Sequence, residues 1–175
     1  MKVVRRDHRR ASALITMLAV LVGGFLFSSR SPEPAARTAA AAPHADEVKR
    51  RFNQAVVMLH ARQYEHAATA LHRVLVLAPQ MPEAHVNMGF ALLGLKRVNE
   101  ARDFFEGATA LKPDQANAYY GLALAYEASG DVAMATGAMR SYLHLARDER
   151  AEHLSRARAA LWEWDATRSG AAARR

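Results

Sequence analysis

The chain contains no cysteine. That absence excludes disulfides, thiolate nucleophiles, cysteine-based zinc sites and a lipid anchor attached through a lipobox cysteine, while leaving the redox compartment open. Proline and glycine are scarce after residue 45, and the β-branched and aromatic runs that would mark strands are missing. With alanine abundant and 51% of the 175 residues hydrophobic, the composition predicts an all-α fold with room for one modest core. No glycine-rich phosphate loop follows a strand, since no strand is predicted, and neither HExxH nor CxxCH occurs. The histidines His60, His66, His72 and His85 show no i, i+4 pairing. No metal, no cofactor and no catalytic constellation is predicted, and the chain reads as a non-enzyme.

What is present begins with basic charge, unevenly spread. The net charge is +7, and residues 1–30 alone contribute +5 of it. Residues 48–147, the body of the chain, carry only +3. That body lacks a basic stripe interleaved with stacking aromatics, so nucleic acid is not an expected partner.

Lys2, Arg5, Arg6, Arg9 and Arg10 precede an uncharged apolar stretch over residues 11–29, closed by Arg30. Nineteen helical residues span about 28 Å, close to the hydrocarbon thickness of a bilayer. The pattern predicts a cytoplasmic basic tail over 1–10 and a single transmembrane helix over 11–29, with everything beyond on the far side. The alternative is a cleaved signal peptide, whose apolar region is shorter and ends at a small-x-small site. Here the run ends Phe25-Leu26-Phe27-Ser28-Ser29, with bulky Phe27 where cleavage after Ser29 needs a small residue. An uncleaved anchor is favoured. Residues 30–45, rich in proline and alanine, show no apolar periodicity and read as a tether, reaching up to about 40 Å if polyproline-like.

Pro79 and Pro113 lie 34 residues apart, each ending an alanine-rich helical stretch. Counting these prolines as position 32 of a repeat sets three units, 48–81, 82–115 and 116–147. The second unit has Met88-Gly89, Leu92, Ala101, Phe105, Ala108 and Pro113 at positions 7, 8, 11, 20, 24, 27 and 32. The third has Tyr119, Leu122-Ala123, Tyr126, Ala135 and Met139, then departs, with Tyr142 at position 27 and Arg147 at position 32. The first keeps Ala55, Ala67, Leu71 and Pro79, with Arg51 at position 4 and Met58 at position 11. Small residues at 8 and 20 let two helices cross closely, and large apolar ones at 4, 7, 11 and 24 fill the space between layers. This pattern resembles the tetratricopeptide-repeat (TPR) family. The resemblance implies a right-handed helical solenoid of three helix-turn-helix repeats. A capping helix is predicted over 148–168, where Leu154, Ala157, Leu161 and Trp164 form one stripe. Trp162 lies off that stripe and is expected half-buried, with a contact role as the alternative. Residues 169–175 are predicted to be a disordered tail.

The resemblance also implies a binding groove lined by the first helix of each repeat. Carried over by position, the groove residues are Phe52, Asn53, Val56, Val86, Asn87, Phe90, Leu93, Asn117, Tyr120, Leu124 and Glu127. Chaperone adaptors of the family clamp a terminal carboxylate with Lys, Asn, Asn, Lys and Arg at positions that here hold Phe52, Val56, Asn87, Asn117 and Gly121. Asn87 alone matches, so a carboxylate clamp is not expected. A trough of apolar groups with asparagines suits an extended or helical peptide instead.

These features lead to the expectation of a non-catalytic adaptor or assembly factor in a bacterial envelope. It is expected to be single-pass in the inner membrane, with its N-terminus cytoplasmic and its repeats periplasmic. Its partner would be an apolar or amphipathic segment of an envelope or membrane protein, as in cytochrome c maturation or membrane-complex assembly; no small-molecule substrate is expected. The alternative is a stoichiometric structural subunit of a membrane complex.

Overall fold

The computed structural model of the protein describes residues 34–147 and 149–172, with side chains over 44–147, 149–167 and at 169. Seven helices run through them: α1 Pro34–His60, α2 Tyr64–Leu77, α3 Pro82–Gly94, α4 Val98–Leu111, α5 Ala116–Ala128, α6 Val132–Leu145 and α7 Ala151–Ala172. The chain divides into two units, Met1–Ala42 and Pro43–Arg175, and the fold described here is that of the second. The expected tail 1–10 and membrane segment 11–29 lie outside the described residues. Among those described, no helix is long and apolar enough to cross a membrane.

The turns inside the three helix pairs follow from one repeated backbone device. Arg62, Lys96 and Gly130 occupy the same repeat position and all adopt the left-handed conformation, with φ of 57°, 64° and 80°. Around each, two amides fold back onto the preceding helix. Arg62 N–H donates to Leu59 O and Gln63 N–H to Met58 O; the same pair recurs from Lys96 and Arg97, and from Gly130 and Asp131. This is a Schellman closure, which satisfies helix-end carbonyls and reverses the chain. Only the third turn uses glycine, the residue for which that conformation carries no steric cost. Asp131 then caps α6 by accepting from Met134 N–H.

The core is built from recurring positions. Ala67, Ala101 and Ala135, at position 20, are fully buried, as are Leu71, Phe105 and Met139 at position 24. Phe105 needs the most room. A Cβ placed on Gly89 would stand 2.6 Å from its ring, and one on Gly121 2.2 Å. The ring therefore fills space that side chains on α3 and α5 would otherwise occupy, and T-stacks on Phe90 at 5.1 Å. One apolar cluster joins repeats 1 and 2 to the start of α5, and a second joins repeat 3 to α7. Tyr119, Tyr126 and Ala138 pack against both.

Helix α7 closes repeat 3 with the predicted stripe: Ala157 and Trp164 are buried, while Leu154 and Leu161 pack partly buried against the same cluster. Trp164 Nε1 donates to Glu127 Oε1 at 3.0 Å, and Arg140 bridges to Asp165 at 2.9 Å. Three features differ from expectation. Residues 34–45 are helical, not an extended tether: Pro34 stands at a helix start, where its missing N–H is harmless, and the alanines that follow propagate helix strongly enough to carry it through Pro43. The last helix continues to Ala172, through part of the expected disordered tail, with Ser169 Oγ donating back to Asp165 O. Trp162 is 80% exposed, not half-buried, because the stripe that packs on repeat 3 lies on another face of α7.

Candidate binding groove

The first helices α1, α3 and α5 set a hollow of about 550 Å³, lined by Val56, Leu59, His60, Tyr64, Asn87, Phe90, Asn117, Tyr120, Tyr142, His153 and Arg156. Five of the eleven expected groove residues meet there: Val56, Asn87, Phe90, Asn117 and Tyr120. The other six do not line it. Val86 is buried in the core, and Phe52 and Leu93 pack against the same cluster. Asn53 is exposed and Leu124 half-buried. Glu127 is engaged by the Trp164 indole, so its carboxylate helps hold α7 in place. Gly121, although on a first helix, makes room for Phe105.

Four lining residues come from elements outside the first helices. Tyr64 begins α2, and its ring lies so close to Gly94 that a Cβ there would fall 2.5 Å from it. Tyr142 is on α6, and His153 and Arg156 are on α7. The sequence signal for Tyr142 is its departure from the repeat pattern, since it replaces the alanine found at Ala108. For His153 and Arg156 no periodic signal exists, because the capping helix stands outside the repeat.

The aromatic rings form a continuous floor. Phe90 and Tyr120 have centroids 6.5 Å apart, and Tyr120 and Tyr142 5.1 Å. Burial pushes the Tyr142 phenol up from its ordinary value, and the Glu149 carboxylate and Tyr120 add to the shift. It is therefore a neutral hydroxyl at physiological pH. Among the described residues no aspartate or glutamate lines the groove. At the α7 end, His153 Nδ1 lies 3.0 Å from Glu149 Oε1, and Arg156 pairs with Glu152. That hydrogen bond, followed by one from the Arg150 amide, holds the Glu149 carboxyl below the usual carboxylate range. The side chains of Asn87 and Asn117 make no hydrogen bond among the described residues, which leaves their amides available to a backbone. No cluster of three His, Asp or Glu side chains suited to a metal ion occurs among the described residues.

The model of the tetratricopeptide-repeat family matches residues 82–115, the second of the three helix pairs. By that match the chain carries a tetratricopeptide repeat over residues 82–115. Its similarity to solved structures extends over the other two repeats. The TPR domain of Sgt2 from Aspergillus fumigatus aligns with a TM-score of 0.64 at 19% identity, over 71% of this chain and 81% of that one. The type III secretion translocator chaperone SycD of Yersinia enterocolitica aligns at 0.67 and 13% identity, over 71% and 88%. The first TPR of Spaghetti, solved with the HSP90 peptide SRMEEVD, aligns at 0.64 and 18% identity, over 71% and 94%. At these identities the likeness is one of fold. No curated protein matches the chain in sequence.

Proposed function

We propose that this TPR protein is a non-catalytic adaptor that holds an apolar or amphipathic segment of another protein in the groove over Phe90, Tyr120 and Tyr142. The observation that carries the reading is the aromatic floor flanked by the unpaired amides of Asn87 and Asn117. Rings supply apolar area at low entropic cost, and the amides can bond an extended or helical backbone. The solved likeness to Spaghetti, which holds a peptide, supports a peptide-binding use of this fold. The clamp for a terminal carboxylate is missing here, since Phe52, Val56 and Gly121 stand where its charged and amide groups would be.

The chain is further proposed to sit in a bacterial inner membrane through residues 11–29, with a cytoplasmic N-terminus and a periplasmic groove. There it would assist assembly of a membrane or envelope complex, of which cytochrome c maturation is one instance. The basic cluster before the apolar run supports that orientation.

Two measurements test the reading. A reporter enzyme that works only outside the cytoplasm, fused after Arg175, is expected to be active; inactivity overturns the placement. Tyr120→Glu is expected to abolish partner co-purification while the chain stays in the membrane fraction with its helical content intact. Retention of the partner by that variant would favour a structural subunit held by its membrane helix.

A further inference from the structure

The first repeat carries a second hollow, of about 250 Å³, between α1 and α2, lined by Arg51, Gln54, Met58, His66, Ala70 and Arg73 among others. Thirty-four residues on, these positions are His85, Met88, Leu92, Glu100, Phe104 and Gly107. In repeat 2, Met88, Leu92, Glu100 and Phe104 share one cleft with Ala68, Thr69 and His72 of α2. This surface is thus where a repeat receives the second helix of the repeat before it. In repeat 1 no described helix fills it, and Ala70 stands where repeat 2 has Phe104.

The other end of the solenoid bears a helix with an unused face. Helix α7 covers repeat 3 with one stripe, while Trp162 points away, 80% exposed, between the exposed Ala159 and Ala166 one turn to either side. Small residues beside a large aromatic allow a helix to come close and insert the ring.

We propose that the solenoid associates head to tail with further copies of itself, α7 of one copy docking through Trp162 into the α1–α2 hollow of the next. The chemistry of the two surfaces matches. Met58 offers a thioether to the indole, and the Arg51 and Arg73 guanidiniums can stack on its face. Arg73 makes no ion pair among the described residues, nor does Glu163 beside Trp162, so docking gives each a partner of opposite charge. Arg158, one turn before Trp162, is the like charge that the contact must turn away from Arg73. Because the two surfaces differ, the contact is heterologous, and each added copy exposes a fresh hollow.

With no native cysteine, single cysteines report the contact without background. The full chain in mild detergent is prepared as Ala159→Cys and, separately, as Ala70→Cys, and the two are mixed with copper phenanthroline as oxidant. The expected result is a disulfide-linked pair of twice the chain mass in the mixture, and none from either preparation alone. Adding Trp162→Glu to the first preparation is expected to lower the linked fraction about tenfold or more, with helical content unchanged. Three results would overturn the proposal: no linked pair in the mixture, equal linking within each preparation alone, or no effect of Trp162→Glu. So would linking of Ala70→Cys, in intact membranes, to a protein of different sequence instead of another copy.

Discussion

Repeats 2 and 3 share a backbone and differ in what they do with it. Repeat 2 follows the packing pattern from position 7 to its closing proline, and Ala101, Phe105 and Ala108 are all fully buried. Repeat 3 keeps Ala135 and Met139 buried but places Tyr142 where repeat 2 has Ala108, and that ring reaches the groove beside Tyr120. It also ends on Arg147 instead of proline and passes into α7, which brings His153 and Arg156 to the same hollow. Where the pattern holds, residues serve packing; where it breaks, they serve the groove.

The largest test of that contrast is Phe105→Ala, which empties the space shared with Gly89 and Gly121. It is expected to cost about 3–5 kcal/mol in urea unfolding. A loss below about 1 kcal/mol would mean that repeat 2 does not hold the solenoid together. Smaller, and of opposite sign, is Thr136→Val in repeat 3. The Thr136 hydroxyl is buried with no hydrogen-bond partner among the described residues. The isosteric exchange removes that desolvation cost and is expected to stabilise by about 1 kcal/mol; destabilisation would reveal a partner for the hydroxyl. The smallest effects belong to the turns. Lys96→Gly is expected to stabilise repeat 2 by up to about 1 kcal/mol, and Gly130→Ala to destabilise repeat 3 by about as much. A Cβ on Gly130 meets no atom within 4 Å, so that cost is conformational alone. Effects of the same sign at both turns would show that backbone strain does not distinguish them.

Most of the repeat architecture was legible because packing recurs. Ala67, Ala101 and Ala135, or Leu71, Phe105 and Met139, stand 34 residues apart and meet the same surroundings each time, so spacing alone reveals them. The cap was legible for a related reason, since Leu154, Ala157, Leu161 and Trp164 keep helical spacing. The groove was half legible. Val86 and Leu93 occupy groove positions by count yet turn into the core, because neighbouring helices crowd those faces. Tyr64, His153 and Arg156 arrive from a second helix and the cap, and no repeat interval points to them. The engagement of Glu127 was not legible, because it depends on Trp164, 37 residues away, across a contact with no counterpart in the repeat pattern.

The hollow over Phe90, Tyr120 and Tyr142, and not the outer surface of the second helices, is proposed to hold the partner. A photo-crosslinking side chain placed at Asn117 in the groove, and separately at exposed Asp103 on α4, tests it in intact membranes. The expected result is a crosslink to one protein from position 117 that disappears when Tyr120→Glu is added, and none from position 103. Crosslinks from position 103 alone, or from 117 regardless of Tyr120, would contradict it.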